Sequence, residues 1–173
     1  MAAVFVDLDR TLLRGASGRA LSEALVAEGV VPAGRHLPGE SLVYSAYERF
    51  GENLVAMGLA RAAALIARGW RQDEVVRAGQ RAAGALAELV APYAPQILAG
   101  YRSEGHRLVL ATTTPRDMIA PFAEAFGFDD VVGTCYEAHQ GRDSGRIEGS
   151  FVWGSRSASV VVWRGGQSVV PRR

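Results

Sequence analysis

The sequence contains no lysine; all 19 of its basic residues are arginine. Chemistry that relies on a compact lysine ammonium must use the wider planar guanidinium or do without. Cysteine is almost as scarce. Cys135 stands alone, so no disulfide can form within the chain and no cysteine-based zinc site is available. It reads as a buried, inert thiol in a strand-like run. The histidines, His36, His106 and His139, lie far apart without metal-ligand spacing. Long apolar runs are missing as well. The most apolar stretch, residues 54–66, contains Gly58 and is broken by Arg61, well short of the roughly 20 residues of a spanning helix. The residues before Asp7 are too few, and lack the basic start, for a secretory leader. The formal net charge of +1 provides no surplus to attract nucleic acid or an anionic membrane. These absences describe a cytoplasmic protein with neither nucleic acid nor membrane as partner, and they leave the oligomeric state open. Carboxylates also run out: none follows Glu148.

What is present suits a folded domain. Of 173 residues, 49% are apolar and 21% charged, enough for a core and a small inserted module. Residues 3–6 form a short apolar run that reads as a buried strand ending in acidic residues. From about Gly18 to Val90 the spacing is helical. Four helices are expected: Gly18 to Gly29, Ser41 to Phe50, Asn53 to Arg68, and Asp73 to Leu89, the last with Asp73 as N-cap. Short joins and many alanines suggest a compact bundle. Another helix follows from Pro95 to Glu104, then a strand from Leu108 to Ala111. A helix from Asp117 to Phe126 leads to a third strand, Val131 to Tyr136. A turn over Gly141 to Gly145 and a returning strand from Arg146 to Trp153 complete the pattern. The outline is an α/β parallel-sheet core over residues 1–17 and 91–154, with a helical module over 18–90 inserted after the first strand. Residues 155–173 form an atypical tail, either a small hairpin around Gly165-Gly166 or a disordered end.

Two places carry candidate chemistry. In Asp7-Leu8-Asp9-Arg10-Thr11 two carboxylates stand two residues apart at the carboxyl end of a strand, where α/β sheets bind ligands. One carboxylate can attack phosphorus to form an acyl phosphate. The other can protonate the leaving oxygen and then activate water. Nearby Mg²⁺ would offset repulsion between the attacking carboxylate and the phosphoryl oxygens. The plain alternative is an acidic pair that caps a turn. Thr112, at the end of the Leu108 run, offers a hydroxyl beside the start of a helix and can hold a phosphoryl oxygen. The plain alternative there is an ordinary threonine turn before Pro115.

The stretch from Asp7 to Leu13 with Gly15-Ala16-Ser17-Gly18 resembles the opening of the phosphoserine-phosphatase-like branch of the haloacid dehalogenase-like hydrolases. Ala111-Thr112-Thr113-Thr114-Pro115 followed by Pro121 resembles that branch's second motif. Residues 127–134 and 141–149 resemble its third-strand segment and following hairpin. The resemblance implies a Rossmann-like core, a helical cap, and Mg²⁺-dependent hydrolysis of small phosphomonoesters. It makes Asp7 the nucleophile and a metal ligand, Asp9 the acid/base with a carbonyl on the metal, and Thr11 and Thr112 phosphate contacts. The family also uses a lysine after the hairpin; here Ser157 falls near that place, and its neighbour Arg156 is the candidate phosphate contact. A further strand beside the first, ending in aspartates that complete the metal site, has no counterpart after Glu148. The abrupt change after Gly154 reads as a frame change or truncation. The expectation is a phosphatase by descent with impaired catalysis. The alternatives are a non-catalytic fragment that binds phosphate, metal or a partner protein, and a second chain that supplies the missing strand.

Overall fold

The computed structural model describes residues 2–32 and 61–148 in full, together with the backbone at 163–164 and 167–168. The expected helix from Ser41 to Phe50, the start of the one from Asn53, and Arg156 lie outside the described residues.

Three parallel strands form the sheet: β1 (Ala3–Asp7), β2 (Arg107–Pro115) and β3 (Asp130–Thr134), side by side in that order. The register pairs Val4 with Leu108, Val6 with Leu110, and Leu110 with Val131. Strand alternation puts these residues on one face. All of them belong to, or pack against, a single hydrophobic cluster. The helices on that face are α1 (Gly18–Ala27), α2 (Gln72–Glu88), α3 (Ala94–Ser103) and α4 (Arg116–Ala125). Each turns apolar residues inward at helical spacing, such as Leu21, Ala24 and Leu25 in α1 and Met118, Ile119 and Phe122 in α4. Burying a side chain such as Phe122, 1% exposed, contributes about 1.5–3 kcal/mol. The helices flanking the inserted segment, α1 and α2, therefore share one core with the sheet. A short helical run over 61–66 precedes α2.

Helices α1, α3 and α4 stop in the same way. Gly29, Gly105 and Gly127 take left-handed backbone, with φ of 74°, 77° and 82°. The next residue donates back into the last turn, as Val30 N–H does to Leu25 at 3.0 Å and Phe128 N–H to Ala123 at 2.8 Å. A pair of ion bridges ties α1 to α2: the Glu28 carboxylate accepts from Arg81 at 2.7 Å and lies 3.5 Å from Arg77. The Arg81 guanidinium foremost holds the Glu28 carboxyl below its usual range.

Several boundaries differ from the sequence expectation, each for a local reason. β2 does not stop at Ala111 but runs to Pro115, with a break in register after Ala111. The third strand ends at Thr134, and Cys135, half-buried, separates it from a hairpin of β4 (Tyr136–His139) and β5 (Arg142–Ile147). The hairpin turns at Gln140-Gly141, not across 141–145. Both turn residues have positive φ, 52° and 73°, as a two-residue hairpin turn requires. Asp73 is not an N-cap: α2 begins at Gln72, and Asp73 accepts two bonds from Arg71 at 3.0 and 3.1 Å. In the tail, β6 (Trp163–Arg164) pairs with β7 (Gln167–Ser168), the hairpin alternative. The outer edge of β1 has no strand partner among the described residues, and no described helix is long and apolar enough to cross a membrane.

α2 and α4 touch at a glycine. A Cβ on Gly79 would run into the Met118 carbonyl oxygen and come within 3.0 Å of its carbon, whereas one on Gly84, a turn and a half further along α2, would meet nothing within 4 Å. We therefore expect Gly79→Ala to lower stability by about 1–3 kcal/mol through overpacking. Gly84→Ala should raise it by roughly 0.5–1 kcal/mol through helix propensity. Urea unfolding of the two variants measures both; equal shifts of the same sign would rule out the close helix contact.

Candidate active site

The site grows from the turn that follows β1. Asp7 ends the strand, and Leu8–Leu12 make one wide turn closed by the Leu13 N–H on the Leu8 carbonyl at 2.9 Å. Leu8, Leu12 and Leu13 are 0%, 1% and 1% exposed. Their burial pins the turn to the core and leaves Asp7 and Asp9, on either side of Leu8, at the carboxyl end of the sheet. Arg10 takes φ of 61°, a left-handed conformation that costs a non-glycine residue about 1–2 kcal/mol. The surroundings hold it there. Arg10 N–H donates to Gly15 at 3.1 Å, Arg14 N–H to Leu89 at 2.8 Å, Ala91 N–H to Leu12 at 2.8 Å, and the Tyr93 hydroxyl to the Thr11 carbonyl at 2.8 Å.

Hydrogen bonds aim the two carboxylates. Thr11 Oγ1 donates to Asp7 Oδ2 at 2.8 Å. Ser17 N–H, at the start of α1, donates to Asp9 Oδ1 at 2.6 Å, so Asp9 faces the positive end of a helix. Asp7 is exposed by area, yet protein surrounds its carboxyl closely enough to matter. Desolvation raises its pKa above the usual carboxylate range; the Thr11 bond pulls it down, the Asp9 charge pushes it up, and a bond from the Leu8 backbone pulls it down.

β2 brings Thr112 alongside. Ala111 is the register partner of Asp7, and neighbouring strands lie about 4.8 Å apart, so Thr112 follows directly across the strand pair. It is 6% exposed. Its hydroxyl donates to Thr114 Oγ1 and accepts the Thr114 N–H, both at 3.1 Å, within the last stretch of β2. Helix α4 begins immediately after it. The structure thus brings Asp7, Asp9, Thr11 and Thr112 to one end of the sheet, with contact shown between Asp7 and Thr11. Arg14, just past the carboxylate pair, donates to the Glu88 carbonyl at 2.8 Å. Arg116 lies 3.6 Å from Asp130. Sequence reasoning did not find Ser17 or Tyr93. The partner of Ser17 is eight positions away, and no local pattern couples Tyr93 to Thr11.

A family model described as haloacid dehalogenase-like hydrolase matches residues 4–165. The chain belongs to this family. It is 27% identical over 164 residues to phosphoserine phosphatase SerB1 of Mycobacterium tuberculosis, a match covering 92% of this chain and 53% of that protein. The chain spans about half the length of the curated relatives it matches. Among solved structures, a protein of unknown function from Bordetella pertussis Tohama I superposes with a TM-score of 0.71 at 22% identity, over 90% of this chain and 70% of that one. A phospho-aspartyl intermediate analogue of phosphoserine phosphatase superposes at 0.52 and 16% identity, over 85% of this chain and 62% of that one. Both likenesses bear on the fold, an α/β parallel sheet with helices, as the strand pairing shows.

The neighbours of Asp7 act on its proton in opposite directions, which makes them separable. Thr11→Val should move the Asp7 titration midpoint up, because it removes a bond to the charged form. Asp9→Asn should move it down, because it removes a like charge. Carboxyl ¹³C chemical shifts followed against pH would show both, and shifts in a common direction would contradict the geometry.

Proposed function

We propose that this chain is a phosphomonoester hydrolase of phosphoserine-phosphatase type, acting on a small phosphorylated substrate through Asp7. The observation that carries this reading is the pairing of Asp7 and Asp9 around a buried leucine at the carboxyl end of β1, each carboxylate oriented by its own hydrogen bond. In the proposed reaction an Asp7 oxygen attacks phosphorus as the ester oxygen departs, giving an aspartyl phosphate. Asp9 donates a proton to the leaving oxygen, then takes one from the water that attacks the same phosphorus and releases phosphate and Asp7. Thr112 and Thr11 would contact phosphoryl oxygens, and Arg156, the basic neighbour of the Ser157 that falls near the family's lysine position, would be a further phosphate contact. The division into a core (1–17 and 91–154), an inserted helical cap (18–90) whose flanking helices α1 and α2 pack into that core, and a tail (155–173) belongs to the same proposal. So does a cytoplasmic location.

Mg²⁺ fits this donor set in a minimal way. The desolvated, repelled carboxyl of Asp7 calls for a nearby cation, and Mg²⁺ is commonly held by one or two carboxylates with water and substrate phosphate completing the shell. The Asp7 carboxylate and the Asp9 carbonyl would hold it, and it would offset charge between nucleophile and phosphoryl group. No cluster of three or more acidic, histidine or cysteine residues able to hold a metal occurs among the described residues. The lack of lysine, a compact cation for which arginine is no exact substitute, favours a second reading in which the site binds phosphate, metal or a partner protein without turnover.

Hydrolysis of an aryl phosphate by the purified chain, with Mg²⁺ and with chelator, separates the two readings. The enzyme reading expects activity that disappears with chelator and falls at least 10³-fold (an order-of-magnitude figure for loss of a nucleophile) in Asp7→Asn. A folded chain with no turnover would leave the binding reading standing.

A further inference from the structure

We infer that the β4–β5 hairpin is an acid-tightened clasp, closed on residues 69–72 when the Asp143 carboxyl is protonated and loosened when it ionises. Residues 69–71 lead into α2, and the run from Gly69 to Gln72 lies along β5, with Arg71 and Arg142 forming one antiparallel bridge. Four hydrogen bonds make the seam. Gly69 N–H donates to the Asp143 carbonyl at 2.8 Å, Asp143 N–H to Trp70 at 2.9 Å, and Gln72 N–H to Gly141 at 3.0 Å. The Arg142 guanidinium donates to the Gly69 carbonyl at 2.9 Å. No other backbone pairing of residues 69–71 with the core is as dense among the described residues.

The side chain at the centre of this seam suits an apolar residue. Asp143 is 5% exposed, and its Oδ1 is buried without a hydrogen-bond partner among the described residues. A buried carboxylate in that position is costly unless it is neutral. The groups facing it make ionisation harder. Asp117, in the first turn of α4, is a like charge. Tyr136 of β4 lies on the same hairpin face, and the charge of Asp143 and, more strongly, burial push its phenol up to about 12. From the clasped segment, the Arg68 side chain lies against Gly145, and the Arg71 guanidinium is engaged by Asp73 and Glu74 at 3.0 and 3.5 Å. Arg142, the residue before Asp143, has its guanidinium on the Gly69 carbonyl. Desolvation first, and Asp117 second, push the Asp143 carboxyl up to about 6.

The sign follows. A carboxyl whose pKa is higher in the closed clasp than in the open one favours closure while neutral. That preference is complete below the usual carboxylate pKa and is lost as pH rises through about 6. Between pH 5 and pH 7.5 the opening equilibrium should grow by about tenfold. Opening would free the start of α2, which packs on the helix that follows Thr112, without breaking the sheet.

The test is native-state amide hydrogen exchange on the 173-residue chain, corrected for the intrinsic pH dependence of exchange. Protection at Gly69, Gln72 and Asp143 should fall about tenfold from pH 5 to pH 7.5, while Leu110 in β2 keeps its protection. Asp143→Asn should abolish the fall. Asp117→Asn, which leaves the hairpin intact, should shrink the fall and move it to lower pH, so the test survives a poorly folding Asp143 variant. A flat wild-type profile, or an unaltered fall in either variant, would overturn the clasp. The readout contains no turnover, so its result is independent of the phosphatase reading.

Discussion

Three leucines decide where the carboxylates go. Leu8, Leu12 and Leu13 are almost completely buried, and the wide turn between them leaves the intervening polar side chains directed away from the core. Remove that anchorage and Asp7 would end a strand without a defined partner, Asp9 would lose its bond from Ser17, and Arg10 would relax out of its left-handed conformation. The residues that present chemistry are therefore held by residues that have none. The energy stored at Arg10, about 1–2 kcal/mol, is small beside the burial of three leucines at about 1.5–3 kcal/mol each.

Much of this could be read from the chain. The D-x-D pair after an apolar run, the threonine segment before Pro115, and the glycines after α1, α3 and α4 all signalled local conformations that need no distant partner. What escaped the sequence depends on contacts between remote positions. β2 extends past Ala111 because Pro115 pairs with Thr134, a partner no local pattern announces. The hairpin turns at Gln140-Gly141 because those two residues adopt positive φ; the competing glycine at 145 masked the signal. Asp73 had the right chemistry for a cap, but its arginine neighbours at 71 and 77 engaged its carboxylate instead. Asp143 was the least visible of all. A polar residue in a turn-like stretch reads as exposed, and its burial depends on contacts with elements remote in sequence, Asp117 of α4 among them.

The helices on the described face of the sheet divide the work. α3 joins the site turn to β2, with Tyr93 at its start reaching back to Thr11. α4 carries the chain away from Thr112, and α2 lies against α4 where Gly79 permits backbone approach. The segment returning from the insert thus reaches the threonine end of the site through a helix contact with almost no slack. Close-packed helices of this kind slide or separate in discrete steps more readily than they deform.

The pairing of Ala3 with Arg107 also sets an order of assembly. β1 leaves the ribosome before β2, and this described partner is made only after the whole insert has been synthesised. Until then its apolar residues have no ladder to join, and closing so long a loop carries an entropic cost that local structure cannot offset. β2, α4 and β3, close in sequence, can dock early, and β1 joins as a late, long-range step that slows folding. During that interval the strand bearing Asp7 is the segment most exposed to mispairing, and the insert, whatever else it does, determines how long the interval lasts.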